Sequence, residues 1–197
     1  MRHVTNALLA AAISAATTCV AVAGSSSLGV TITSDRNPSN FGVPKSTKYR
    51  LNGGHTFDNG LNIGGSFEYT DSAFSDRASQ NLEGTLGYGL PLNSAISLTG
   101  SVGIGERWRE NPTTSFPYYV LRIAVDYALT QDIAWNVISY RFRDGFDSNN
   151  NYNTPQIATG LTFRLDSQSS ITAKIARNWR EGSPSSTGIS LGFKREF

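Results

Sequence analysis

From Gly24 onward, apolar residues recur at every second position. Tyr119, Leu121, Ile123, Val125, Tyr127 and Leu129 hold one face of a segment whose other face is Val120, Arg122, Ala124, Asp126 and Ala128. Leu61, Ile63, Gly65, Phe67 and Tyr69 alternate with Asn62, Gly64, Ser66 and Glu68. Ile96, Leu98, Gly100, Val102 and Ile104 alternate with Ser97, Thr99, Ser101, Gly103 and Gly105. A period of two marks β-strands with unlike faces, and helical spacing is hard to find. The pattern predicts ten strands, over 28–36, 48–57, 61–71, 80–90, 95–107, 117–129, 133–143, 155–165, 170–180 and 187–197. Most run to about 10–12 residues, beyond the soluble mode of about 5–6. Strands of about 9–11 residues cross a bilayer when tilted.

The connections alternate in length. Asp58-Asn59-Gly60, Pro91–Ser94, Thr130–Asp132 and Asp166–Ser169 have the Asn, Asp, Gly or Pro of tight turns. Longer polar loops are expected at 37–47, 72–79, 108–116, 144–154 and 181–186. Tight turns at one end and long loops at the other describe an up-and-down meander. The fold class is therefore all-β: a transmembrane antiparallel up-and-down β-barrel of about ten strands, with eight to ten as the range. One strand breaks phase. In 133–143 the apolar positions run Ile133, Trp135, Val137 and then Ile138, Tyr140, Phe142. A β-bulge near Val137 absorbs such a shift; a displaced strand boundary is the alternative.

Composition narrows the class further. The 197 residues include 16% charged, 39% apolar and 11% aromatic residues, with a single Cys and a net charge of +2. Ample aromatics argue against disorder, and one Cys excludes a disulfide scaffold. The small net charge gives no footprint for nucleic acid. After the first two dozen residues no apolar run reaches the ~18 residues of a membrane helix. Those first residues have a basic start at Met1-Arg2-His3, an apolar stretch from Ala7 to Ala16 and small residues at Ala21-Val22-Ala23. They predict a cleaved signal peptide over 1–23, export, and a barrel domain over 24–197.

Alternation does not say which face meets water. A soluble periplasmic barrel holding an apolar ligand would turn its apolar face inward; a membrane barrel turns it outward. The polar face here is mostly Gly, Ser, Thr and Asn, whereas a soluble surface is about 25–35% charged. Aromatics on the apolar parity fall near strand ends: Phe57, Tyr88, Tyr127, Phe163 and Phe197 toward the tight turns, and Tyr49, Tyr69, Tyr119, Tyr140 and Trp179 toward the loops. Two such tiers match interfacial girdles. The last strand, with Ile189, Leu191, Phe193 and a terminal Phe197, resembles the C-terminal assembly signal of Gram-negative outer-membrane β-barrel proteins. Arg195 stands where that pattern usually has another apolar residue. The resemblance implies a small porin-like barrel in the outer membrane of a Gram-negative bacterium. It also implies contact with outer-membrane lipids and lipopolysaccharide, and insertion by the barrel-assembly machinery.

Catalytic chemistry has little support. His55 is the sole His after the signal segment and sits on the apolar parity near a tight turn, a place for an interfacial side chain. Asp147-Ser148-Asn149-Asn150-Asn151 begins like a calcium loop but has Tyr152 and Ala158 where Gly and Glu belong. Gly100, Gly103 and Gly105 lie within an alternating strand, so they leave lumen space and do not cradle phosphate. No enzyme activity, cofactor or metal is expected.

The informative residues are charges on the inward parity: Lys48, Arg50, Arg107, Arg122, Arg164, Lys174, Arg180 and Lys194, with Arg141 if the shifted phase holds. Inward acids are fewer: Asp35, Glu68, Glu83, Asp126 and Glu196. Their excess predicts mild anion preference in a porin-like passage. The same groups, paired across the lumen, predict a plugged barrel acting through loops 37–47, 72–79 and 144–154. Ten strands lie nearer the filled eight-stranded end than the wide sixteen-stranded one.

Overall fold

The computed structural model describes residues 23–74, 78–110, 113–150 and 152–197, so the signal segment predicted over 1–23 lies outside it except for Ala23. The alternating segments form β1 (Gly24–Arg36), β2 (Pro44–Phe57), β3 (Leu61–Ser72), β4 (Ala78–Pro91), β5 (Ile96–Arg109), β6 (Thr114–Ala128), β7 (Ile133–Gly145), β8 (Gln156–Arg164), β9 (Ser169–Arg180) and β10 (Ser183–Glu196). Each strand pairs antiparallel with its sequence neighbours, and β1 pairs with β10 to close the barrel. Closure runs to the last residue. The Ser26 N–H donates to the Phe197 carbonyl at 3.3 Å, and the Phe197 N–H to the Ser26 carbonyl at 2.8 Å. A closed ladder leaves no strand edge to satisfy in lipid.

Each tight turn is fixed by one side chain that accepts backbone N–H groups across it. Asn59 Oδ1 accepts from Leu61 at 3.0 Å. Asn93 Oδ1 accepts from Ala95 and Ile96, both at 2.8 Å. Thr130 Oγ1 accepts from Asp132 and Ile133 at 3.2 and 3.0 Å. Asp166 Oδ1 accepts from Gln168 and Ser169, both at 2.7 Å. These are the turns that short polar side chains make locally. At Asp166, the Gln168 N–H above all holds the carboxyl below its ordinary pKa range.

Most strands extend past their predicted ends toward the loops, so the loops are shorter than expected. The largest departure is after β9. A loop over 181–186 is expected from Glu181-Gly182-Ser183-Pro184-Ser185, yet β9 and β10 meet at a two-residue turn with Arg180 opposite Ser183. Glu181 and Gly182 both take positive φ, 50° and 75°. That backbone matches the right-handed twist of a hairpin. The extra residue is absorbed as an irregularity between Pro184 and Ser186.

The phase break in β7 is a bulge. Val125 faces Ile138 and Asp126 faces Asn136, leaving Val137 without a partner on β6. Asn136, Ser139 and Arg141 therefore share the inward parity, while Trp135, Ile138 and Tyr140 share the outward one.

The barrel is apolar outside and polar inside. Large apolar side chains such as Ile104, Leu191 and Ile32 are exposed, by 66%, 61% and 55%. The buried set is instead rich in polar groups: Asp35, Glu68, Asn81, Glu83, Asn136, Arg143 and Asn178. A continuous apolar outer wall marks a surface that faces something other than water. A soluble barrel with an apolar ligand would need the reverse arrangement, with the large apolar side chains inside and the charged ones outside.

Candidate functional site

The inward side chains of the loop half form a belt around the lumen. Asp35 on β1 accepts from Lys48 Nζ of β2 at 2.5 Å, Ser46 Oγ of β2 at 3.1 Å and Ser186 Oγ of β10 at 3.3 Å. Asn178 on β9 donates to Ser186 Oγ at 3.0 Å and accepts from Gln156 Nε2 of β8 at 2.7 Å. One hydrogen-bonded chain therefore runs from β2 to β8.

The opposite wall carries a denser network. Glu68 of β3 pairs with Arg50 of β2 and accepts from Asn81 Nδ2 of β4 at 3.2 Å. Glu83 of β4 pairs with Arg122 of β6 and accepts from Tyr118 Oη at 3.2 Å. Arg143 reaches across from β7 to both acids. Its Nη2 lies 2.9 Å and its Nε 3.0 Å from Glu83 Oε2, and its Nη1 lies 3.5 Å from Glu68 Oε1. β7 is three strands from β4 around the wall, so this side chain braces the lumen transversely. Arg143, Glu68 and Glu83 are all buried. Ions in such a place are held only when their hydrogen bonds are satisfied.

An aromatic group caps the brace. Tyr152, from the connection between β7 and β8, points inward and is 5% exposed. Its ring packs edge-on against Phe116 at 5.3 Å and Tyr118 at 5.1 Å. Its hydroxyl donates to Asn81 Oδ1 and accepts from Arg107 Nη1, both at 3.3 Å. Arg107 also donates to Asn81 Oδ1 at 3.1 Å and to Ser79 Oγ at 2.9 Å. Gly105 makes this possible: a Cβ there would come within 2.5 Å of the Tyr118 ring. The expectation that Gly103 and Gly105 leave open lumen is thus corrected. Tyr118 and Val120 fill the space they provide.

Above the brace, a cavity of about 180 Å³ opens toward the loops; below, one of about 190 Å³ opens at the tight turns. The expected lumen charges divide among these levels. Lys48, Arg50, Glu68, Glu83, Arg107, Arg122 and Arg141 gather at the belt and brace. Asp126 lies lower, accepting from Asn136 Nδ2 at 2.8 Å and interacting electrostatically with Lys174. Arg164 and Lys194 line the tight-turn mouth, where Lys194 pairs with Glu196 at 2.6 Å. Arg180 sits at the opposite rim, 3.8 Å from Glu181, with both side chains half-exposed.

Sequence reasoning missed Arg143, Tyr118, Tyr152 and Asn81. Arg143 was readable, since it lies two residues beyond Arg141 in the shifted phase. Tyr118 also sits on the inward parity of β6, where the outward alternation beside it is the stronger signal. Nothing in the sequence marks a loop Tyr as folding inward.

Of the expected aromatic tiers, Tyr49 and Tyr69 face each other across β2 and β3 at the loop side. Trp179 stands at the end of β9, with Pro184 opposite. Tyr119 contacts Phe142 and Phe146. Tyr88, Tyr127 and Phe163 are exposed toward the tight turns, as is Phe197 at the end of the chain, and Phe57 closes β2 there. Tyr140 departs from the loop tier. It pairs with Ile123, four residues down β6 from Tyr119. Ile189, Leu191 and Phe193 are exposed on β10. His55 sits on the outward parity near the tight turns, with Nδ1 2.9 Å from Ser26 Oγ and its ring 4.6 Å from Phe57. Asp147 accepts from the Asn149 N–H at 2.9 Å, an ordinary local turn.

An apolar wall around a hydrogen-bonded polar lumen defines a membrane-spanning β-barrel. The chain belongs to the outer membrane protein beta-barrel domain family, which it matches over residues 5–197. Solved barrels share the fold. The KdgM porin is 15% identical, with TM-score 0.50, covering 87% of this chain and 99% of that one. The NanC porin is 9% identical, with TM-score 0.53, covering 85% and 98%. The translocator domain of the autotransporter NalP from Neisseria meningitidis is 9% identical, with TM-score 0.55, covering 100% and 96%. No curated protein matches in sequence.

Proposed function

We propose that this barrel passes small anionic solutes across the outer membrane, through a narrow lumen constricted by the Arg143 brace. The observation that carries the reading is the charge of the outer cavity. Its wall has two lysines and five arginines against Asp35 and Glu68. A low-dielectric wall focuses such a field and concentrates anions at the entrance. The KdgM porin has also been solved with disordered oligogalacturonate, which gives an acidic ligand a precedent on this fold. The barrel is passive and non-enzymatic in this reading. Its outer face contacts outer-membrane lipids and lipopolysaccharide, and Ile189, Leu191, Phe193 and Phe197 address it to the barrel-assembly machinery.

The brace itself favours a second reading, a barrel closed at rest whose loops carry interaction. Uptake into proteoliposomes separates the two. A monocarboxylate sugar acid is expected to enter faster than a neutral sugar of the same size, with the difference shrinking at high salt as screening sets in. Equal exclusion of both would favour the closed barrel.

A further inference from the structure

Arg107 and Arg141 have no acid of their own at the constriction. Arg107 donates instead to Asn81, Ser79 and Tyr152, whereas no side-chain acceptor among the described residues meets Arg141. Its Cα lies directly opposite that of Arg122 across β6 and β7, and like charges so placed repel. The two nearby carboxylates are already shared. Arg50 takes Glu68, Arg122 takes Glu83, and Arg143 spans both. Among the described residues no ion pair reaches Arg141, though it is within electrostatic range of Arg50, Arg122, Arg143 and Glu68. Its Nε is enclosed and meets no hydrogen-bond partner. A guanidinium Nε taken out of water with no acceptor carries a standing penalty. Arg141 also lines the outer cavity of about 180 Å³, so an ion can reach it from outside.

We propose that Arg141 is an anion-binding site, which holds one small oxyanion as the missing counter-charge of the four-guanidinium cluster. The ligand chemistry is a carboxylate or a phosphate, whose paired oxygens fit the guanidinium fork. The proposal builds on the anionic lumen argued above, but it needs no conduction.

The test is line broadening of inorganic phosphate in ³¹P NMR by the folded protein in a glycosidic detergent. Wild type is expected to broaden the signal saturably. Arg141→Met should bind about tenfold more weakly, the loss of a charge-assisted hydrogen bond. Arg36→Met, on the outer face of β1, should match wild type. Arg141→Lys keeps the charge without the fork and is the second variant should Arg141→Met not fold; weakened binding supports the site. Relief of broadening by acetate extends the site to carboxylate solutes, and phosphate binding without relief restricts it to phosphate; both support it. Absence of saturable broadening in wild type, or equal binding by the Met or Lys variant, overturns it. A silent bilayer with intact phosphate binding removes the pore and leaves this site; conduction without binding does the reverse.

Discussion

Arg143→Met is expected to destabilise the folded barrel by about 3–5 kcal/mol and to raise its conductance. The side chain is buried and touches both Glu68 and Glu83. Removing it leaves each carboxylate with one guanidinium, Arg50 or Arg122, in place of two. Tyr118 loses the cation stacked 5.6 Å from its ring. The loss should fall toward the lower end of that range because both acids keep a partner. It should appear as a lower temperature for the heat-modifiable shift in dodecyl sulfate. Lys194→Met is the control. Its pair with Glu196 is half-exposed at 2.6 Å, and exposed pairs contribute about 0–1 kcal/mol. Equal midpoints for wild type and Arg143→Met would contradict the brace.

Ile123→Arg is expected to cost about 2–4 kcal/mol of folding into lipid vesicles, the penalty for a cation on the lipid face near the midplane. Ile123 is 49% exposed on the outer wall and lies midway along β6 between Tyr119 and Tyr127. The same change one residue on, Ala124→Arg, points into the lumen two residues from Asp126 and should cost far less. Folding yields in vesicles, compared for the two variants, give the answer. A larger loss for Ala124→Arg would invert the assignment of the faces.

The strands were legible because one physical rule governs nearly every residue of the wall. Lipid outside and water inside impose a period of two, and a closed ladder keeps it uninterrupted. All ten strands follow from that rule, and of the two explanations open for the phase break in β7 the structure takes the bulge at Val137. The two-residue turn at Glu181-Gly182 was hidden, since Pro184 and the surrounding serines have the composition of a loop. The site was legible only in its wall. Parity places Arg50, Glu68, Glu83, Arg122 and Arg141 on the inner face, but it does not say how far a side chain reaches. The transverse span of Arg143 and the inward fold of Tyr152 depend on which strands stand opposite, and only closure determines that.

Planar-bilayer recording in a potassium chloride gradient tests anion passage through the braced lumen most directly. Discrete steps with a reversal potential on the chloride side are predicted, moving toward zero in Arg141→Met. Silent insertion of correctly folded protein, or a reversal potential on the potassium side, would contradict it.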